Sequence, residues 1–342
     1  MQYELRQNTV APRRNAYQVL IERNGDVPAS RYQEGTVGIQ PRENFHYRPL
    51  WAPEHELYDE TFSALRLTDP EGFVDPRQYY YAPYVAARAA LHDGFAKTLD
   101  YLDKRDLTVR LPDAWAEVVR TVVVPLRHYE SGAQLISVAG ARFAWGTPVA
   151  QCLSYAAFDR IGIAQMLSRI GISVAGGTDE ALAEAKGLWI QADHLQRARR
   201  NTEELMATSD WAAGVIGQDL VDQLVYPVLY QRLDDAALLG GAGPYSLLTQ
   251  HLTAWYVDHR RWLDALYTAW TSDPEHGEAN RAHLADIVRT WLPAAVESAT
   301  DIAAAVDAAL GTEAVVAVAQ EARAVRERFA ALGVSAEGAA TS

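Results

Sequence analysis

The chain has 342 residues, of which 49% are hydrophobic and 22% charged, and its net charge is −13. This composition excludes a disordered chain, and the negative charge argues against a surface for nucleic acid or an anionic membrane. The single cysteine, Cys152, excludes an internal disulfide and a cysteine metal cluster. No run of about 18 uncharged apolar residues occurs, and the first residues lack the apolar core of an export signal. We therefore expect a soluble cytoplasmic protein.

Residues 1–84 are predicted to form an extended arm instead of a folded domain. Proline recurs too often in this segment for long helices, and neither helical nor strand periodicity persists. Large aromatic side chains are nevertheless frequent, which is untypical of a disordered tail. An arm that lies against an apolar surface, on this chain or on another, explains both observations. The candidate interface residues are Phe45, His46, Tyr47, Arg48, Leu50, Trp51, Arg77, Tyr80, Tyr81 and Tyr84.

Residues 85–335 are predicted to form a helical domain, followed by a frayed end at 336–342. Four long helices in this domain are candidates for one bundle, so the predicted fold class is all-α. Pro125 and Pro227 lie inside two of these helices and predict kinks. The predicted helices cover residues 85–107, 113–144, 147–171, 178–208, 211–239, 245–270, 279–309 and 312–332. The bundle candidates are the helices at 113–144, 147–171, 211–239 and 245–270.

The predicted helix at 147–171 is apolar around most of its circumference, which places it inside the bundle. Asp159 and Arg160 are exceptions, because both fall among apolar neighbours on the helical wheel. Buried charges normally have partners. We therefore predict that Asp159 forms a buried ion pair with a neighbouring arginine, and the candidates are Arg160, Arg127 and Arg169.

Motifs for several common activities are missing from the sequence. The glycine-rich segment 240–243 lacks the Lys-Ser/Thr of a phosphate loop and follows a predicted helix. No G-x-S-x-G segment occurs, and His55-Glu56 is not followed by the second histidine of a zinc-protease helix. These observations leave no basis for a kinase or a classical hydrolase.

Four long helices suggest the class of carboxylate-bridged di-iron proteins. In that class two helices each supply a Glu and two others each supply a Glu-x-x-His, because residues three apart share a helix face. Only Glu43/His46 and Asp273/His276 place an acid three positions before a histidine, and neither pair lies on a predicted helix. The sequence therefore predicts that this chain holds no metal.

Two other residue pairs would be metal ligands only in an unusual geometry. These pairs are His128 with Glu130 and Asp258 with His259. Adjacent residues, and residues two apart, do not face one another on a helix. The preferred interpretation is that they are hydrogen-bonded polar residues at helix contacts. We accordingly group Asp159, Arg160, His128 and His259 as a predicted buried polar remnant.

Distinctive segments extend along almost the whole chain. The arm contains ASRYQE at 29–34, FHYRPLW at 45–51, HEL at 55–57 and DPRQ at 75–78, and the helical region contains PLRH at 125–128, LSRIG at 167–171, GGT at 176–178 and YQR at 230–232. Together they resemble the β subunit of the hydroxylase component of bacterial multicomponent phenol hydroxylases. Toluene, alkene and methane monooxygenases have related β subunits.

The resemblance implies a ferritin-like helical bundle without a metal site. It also implies a catalytic α subunit that holds two irons, a small γ subunit and an (αβγ)2 assembly. A small effector protein and an NAD(P)H-dependent reductase complete such systems, which insert one oxygen atom from O2 into phenol or a related aromatic ring. The resemblance transfers no catalytic, cofactor-binding or metal-ligating residue to this chain, because the family places them on another subunit.

Two other functions stay open from the sequence. A catalytic di-iron protein with unusual ligands would bind iron stoichiometrically when isolated. A free-standing helical sensor or ligand carrier would be a stable monomer with a tight pocket for a small molecule. For the arm, we predict docking on the catalytic α subunit, and the alternative is that the arm only covers this chain's own helices.

Overall fold

A computed structural model of the chain describes residues 16–25, 27–41, 50 and 53–335. Within these ranges every regular element is helical. The α-helices are α1 (Ala16–Asn24), α2 (Arg31–Thr36), α3 (Tyr81–Asp103), α4 (Asp113–Val118), α5 (Leu126–Phe143), α6 (Thr147–Val174), α7 (Glu180–Gln191), α8 (Asp193–Met206), α9 (Trp211–Pro227), α10 (Leu233–Leu239), α11 (Gly243–Thr271), α12 (Gly277–Leu310) and α13 (Ala314–Ala331). None of these described helices has the combination of length and hydrophobicity needed to cross a membrane.

The four predicted bundle helices form a closed ring around the core. Helix α5 packs against α6 and α9, and α11 completes the ring through contacts with the same two helices, α6 and α9. Helix α3 covers the edge between α6 and α11, whereas α12 and α13 cover α9. A continuous cluster of buried apolar side chains fills the interior. The architecture is therefore a four-helix bundle with an outer layer of helices, as the all-α prediction required.

Proline distorts the two predicted helices at the expected places. A π-helical segment at Val119–Val123 precedes Pro125, and a second at Val228–Arg232 follows Pro227 directly. A proline lacks the N–H that an α-helix needs, and a wider turn locally accommodates the lost bond. The kinks predicted in helices 113–144 and 211–239 are thus local changes of helix type.

One predicted helix is two helices in the structure. The segment predicted at 178–208 is interrupted at Ala192, whose φ of −75° and ψ of 127° are extended. The side-chain amide of Gln196 donates hydrogen bonds to the carbonyls of Ala192 and Trp189 at 3.0 and 3.2 Å. This side chain satisfies carbonyl groups at the break, which compensates for the lost helical bonds.

The described part of the arm packs on this chain's own bundle. Phe62 stacks on Phe143 of α5 with ring centres 4.4 Å apart. Gln40 donates its amide to the carbonyl of Ala144 at 2.9 Å, and its backbone N–H donates to Thr147 at 3.0 Å. These contacts tie the arm to the turn between α5 and α6. The role of the arm at a subunit interface stays a prediction.

The candidate interface residues of the arm fall into three groups. Leu50 and Tyr81 are exposed by 94% and 75%, and Tyr80 is half-buried. Arg77 and Tyr84 are buried within this chain, and the interface role expected of these candidates stays a prediction. Both are held inside by carboxylates of the chain itself, as described below. The other five candidates, Phe45, His46, Tyr47, Arg48 and Trp51, lie outside the described residues. The frayed end predicted at 336–342 also lies outside them.

Candidate functional site

A buried arginine occupies the place where α5, α6 and α9 converge. Arg160 on α6 is 2% exposed and donates hydrogen bonds to two buried carboxylates. Its NH1 lies 2.9 Å from Oε2 of Glu130 on α5 and 3.1 Å from Oδ1 of Asp222 on α9, and its NH2 also bonds to Asp222. One guanidinium therefore joins three helices of the bundle.

Tyrosines complete the hydrogen bonding of the two carboxylates. Tyr129 donates its hydroxyl to Asp222 at 2.6 Å, and Tyr226 donates to Glu130 at 2.7 Å. Burial raises the pKa of Glu130 and the pKa of Asp222, because two acids share a single guanidinium in a dry interior. Burial alone would lower the pKa of Arg160, but these two carboxylates raise it well above its ordinary value. The guanidinium is thus a permanent positive charge in the core.

Asp159 forms a second buried ion pair, with a partner that differs from the prediction. Arg88 on α3 donates Nε to Oδ1 and NH2 to Oδ2 of Asp159 at 2.7 and 2.8 Å. Tyr84 and Trp255 donate to the same carboxylate at 2.8 and 2.9 Å. Arg160 is not the partner, because successive side chains on a helix point about 100° apart. The predicted buried ion pair exists, but none of Arg160, Arg127 and Arg169 forms it.

The arm and α11 extend this second cluster. Arg88 also donates to Asp258 at 2.8 Å, and Tyr79 donates to Asp258 at 3.3 Å. The Arg77 side chain is 1% exposed and bonds through Nε to Asp75 at 3.0 Å. Carboxylates of the chain therefore hold the side chains of Arg77 and Tyr84 in the interior.

A third ion pair links α9 and α11. Arg260 binds Asp219, which also accepts hydrogen bonds from Tyr267 at 2.8 Å and from Gln223 at 2.6 Å. The sequence reasoning missed Arg88, Asp219, Asp222 and Arg260 as members of the buried polar groups. A usable signal was present on α9, because Asp219 and Asp222 lie three residues apart and are the two charged residues of a largely apolar helix.

The two histidines of the predicted polar remnant lie in different surroundings. His259 is 3% exposed, stacks on Trp255 at 4.7 Å and accepts a hydrogen bond from Trp262 at 3.4 Å. Burial, helped by nearby arginines, lowers the pKa of His259 well below its ordinary value, so the ring is neutral. His128 is half-buried beside Trp189 at 6.2 Å. It therefore does not share a site with Glu130, which faces Arg160.

The residues at the centre do not fit a di-iron centre. Such a centre needs inward carboxylates and histidines from all four helices around one space. Here the Arg160 guanidinium lies between the carboxylates, and the cavity beside it, lined also by Gln218 and His259, measures about 10 Å³. That volume is near the lower limit for one water molecule. Among the residues that the structure describes, no group of three or more His, Cys, Asp or Glu is arranged to hold a metal ion.

Comparisons with known proteins give a consistent result. Residues 51–274 match the family model described as methane/phenol/alkene hydroxylase. The chain is 40% identical over 306 residues to the oxygenase component DmpL of phenol 2-monooxygenase from Pseudomonas sp. (strain CF600), covering 89% of this chain and 91% of DmpL. It is 24% identical over 284 residues to the hydroxylase component small subunit of propane 2-monooxygenase from Mycolicibacterium goodii, covering 79% and 76% of the two chains.

A solved structure supports the same relationship. The xenon-pressurised phenol hydroxylase from Pseudomonas sp. OX1 superposes with a TM-score of 0.86 at 34% identity, covering 98% of this chain and 100% of the matched chain. The bundle of α5, α6, α9 and α11 is accordingly a ferritin-like helical fold, as the resemblance implied. By its sequence and by its fold, the chain belongs to the methane/phenol/alkene hydroxylase family.

Proposed function

We propose that this chain is the structural, non-catalytic β subunit of a multicomponent di-iron monooxygenase that hydroxylates phenol or a related aromatic compound. One observation carries the proposal, namely that Arg160 lies between Glu130 and Asp222 at the convergence of the bundle helices. The names of the relatives support it, since one is an oxygenase component of phenol 2-monooxygenase and another is a small subunit of a hydroxylase component.

Arg160 explains how the bundle is stable without a metal. A guanidinium is planar, offers five N–H donors and remains protonated in proteins. It therefore supplies to Glu130 and Asp222 the positive charge that metal ions supply in a di-iron protein of this fold. Removing it would leave two buried carboxylates unpaired, which is costly. Among the described residues, the centre of the bundle therefore offers no open coordination position for a metal ion.

We further propose that the chain assembles with a catalytic α subunit, which carries the di-iron centre, and with a γ subunit, an effector protein and an NAD(P)H-dependent reductase. The sequence resemblance and the names of the relatives support these partners. Leu50 and Tyr81 are the described candidates most available for an interface, because they are exposed by 94% and 75%. Both belong to the group of interface residues predicted from the arm, and aromatic residues such as Tyr81 are frequent anchors of an interface.

Iron analysis tests the absence of a metal site. The full-length chain is treated with chelator, reconstituted with ferrous iron and desalted before iron is measured. We expect near-zero iron per chain, because Arg160 occupies the centre of the bundle. One or two bound irons per chain would contradict the proposal. A second experiment omits this chain from the reconstituted enzyme. Phenol hydroxylation should then be lost, and adding the chain back to the other subunits should restore it.

Co-purification tests the interface residues. Leu50→Ser and Tyr81→Ser should weaken the association with the α subunit and leave the melting temperature unchanged, because neither side chain is packed on its own bundle. Leu239→Ser is a matched control, since Leu239 is 91% exposed at the end of α10. If all three variants co-purify equally with the α subunit, Leu50 and Tyr81 do not belong to the interface.

A further inference from the structure

A cavity among α9, α11 and α13 has the size of a small aromatic molecule. Its volume is about 200 Å³, and residues from all three helices line it. An engineered apolar cavity of about 150 Å³ is sufficient to hold one benzene molecule. The cavity in this chain therefore matches a single aromatic ring with one small substituent.

Aromatic and aliphatic side chains form much of the wall. Tyr267 and Phe329 are each 2% exposed, and their rings meet edge to face with centres 5.2 Å apart. Ala331 and Leu332 continue the wall at the end of α13. A planar ring in this space would be in contact with two aromatic rings and would lose its contact with water on the side that meets the wall, and both effects favour binding.

The buried polar side chains of the wall are already hydrogen-bonded, whereas Arg328 is exposed at its edge. Tyr267 and Gln223 both donate to Asp219, and Arg260 is paired with Asp219 and Asp264. Two buried atoms of these wall residues, Nε of Arg260 and Oε1 of Gln223, have no hydrogen-bond partner within the described part of the chain. Buried polar atoms without a partner are uncommon in folded proteins and call for an explanation.

The two unpaired atoms differ in kind, because the guanidinium N–H only donates and the amide oxygen only accepts. A hydroxyl group can satisfy both. A carboxylate only accepts, so it could pair with Arg260 but would leave the oxygen of Gln223 unpaired. It would also meet both the positive Arg328 and the negative Asp264 in the wall. A methyl group pairs with neither atom. Gln223 and Arg260 both line the cavity, but these two atoms are not exposed to it. Pairing with a ligand therefore requires a small side-chain adjustment, which is common on binding.

We propose that this cavity binds a single-ring aromatic compound that carries a hydroxyl group, of which phenol is the simplest example. The ring lies against Tyr267 and Phe329, and the hydroxyl pairs with Gln223 and Arg260. The proposal goes beyond the subunit role described above and does not rest on it, because it uses only the wall of this cavity.

Diffraction tests the location of the site. Crystals of the full-length chain, or of the complex in which it purifies, are soaked in 4-bromophenol, and the anomalous signal of bromine is mapped. We expect a bromine atom in the cavity, with the hydroxyl of the same molecule beside Gln223. No bromine in the cavity at a saturating concentration would overturn the proposal, and so would a partner side chain that already fills it.

Binding in solution tests the chemistry, with equilibrium dialysis of phenol, toluene and benzoate against the same preparation. Thr268→Trp should block the cavity and remove one phenol site per chain. Thr290→Trp is the matched control, because both threonines are exposed and donate their hydroxyls to a carbonyl of their own helix, at 2.9 and 2.8 Å. The control variant should bind phenol as the unaltered chain does.

The ligand series decides whether the hydroxyl matters. At this site phenol should bind roughly tenfold more tightly than toluene, because toluene leaves both polar atoms unpaired. Equal binding of toluene, tighter binding of benzoate, or an unchanged number of phenol sites in Thr268→Trp would each overturn the proposal. If Thr268→Trp fails to fold, the crystal experiment on the unaltered protein decides the question.

Discussion

Arg88 on α3 and Asp159 on α6 form a two-point salt bridge inside the protein, with N–O distances of 2.7 and 2.8 Å. The Arg88 and Asp159 side chains are 11% and 1% exposed. The pair fastens an outer helix to the central helix at a place where water is excluded. Tyr84 and Trp255 satisfy the remaining lone pairs of the carboxylate, so Asp159 is fully hydrogen-bonded.

Asp159→Ala should lower the free energy of unfolding by about 3–5 kcal/mol, because it leaves the Arg88 guanidinium buried without its main partner. Chemical denaturation of the purified chain measures the change. The double variant Arg88→Met, Asp159→Leu should recover part of this loss. Recovery stays incomplete because Tyr84 and Trp255 still lose their acceptor. An Asp159→Ala chain with unchanged stability would show that the ion pair contributes nothing.

Arg160→Leu should destabilise the fold more at about pH 7 than at about pH 5. Without the guanidinium, Glu130 and Asp222 are buried acids whose pKa values lie above those of the unfolded chain. The folded variant then binds more protons than the unfolded variant, so its stability rises as the pH falls through this range.

Urea denaturation of the Arg160→Leu chain at both pH values measures this effect. Arg200→Leu is the control, because Arg200 pairs with Glu204 on the exposed surface of α8 and should matter little at either pH. A loss of stability in Arg160→Leu that does not depend on pH would contradict the role assigned to the two carboxylates.

His259 should make the fold sensitive to acid. Burial lowers the pKa of His259 well below its ordinary value, whereas the histidine of the unfolded chain takes up a proton near pH 6.5. Stability is therefore lost as the pH falls below about 6.5, by at most about 1.4 kcal/mol per pH unit for this one group.

Comparing acid unfolding of His259→Asn with the unaltered chain isolates this contribution, because the asparagine oxygen can still accept a hydrogen bond from Trp262. The variant should lose less stability on acidification. His283→Asn is the control, because His283 is exposed on α12. Identical pH profiles for His259→Asn and the unaltered chain would mean that His259 is not held neutral.

Gly132→Ala should destabilise the bundle by about 1–3 kcal/mol, because a β-carbon there would overlap the methyl group of Thr202 on α8. Gly187→Ala is the matched helical control, since Gly187 is exposed on α7 and has no neighbour within 4 Å of such a carbon. That change should stabilise the chain by about 0.5–1 kcal/mol. Melting temperatures that move together in both variants would show that α5 and α8 are less closely packed.

The helical class and most of the helices were predictable from the sequence, because apolar periodicity and the positions of proline and glycine act locally along the chain. The capping residue Asp210 is an example, since it accepts hydrogen bonds from the N–H groups of Ala212 and Ala213 as its position before α9 predicts. The break at Ala192 was missed because nothing in its own residue type forbids a continuous helix.

The central charges were predictable as a feature but not as a set of partners. A helical wheel showed that Asp159 and Arg160 are buried, because it gives the face on which a side chain lies. It does not tell which helix packs against that face. Only the tertiary structure paired Asp159 with Arg88, 71 residues away, and Arg160 with Glu130 and Asp222, because the packing of α3, α5 and α9 around α6 decides which charges meet.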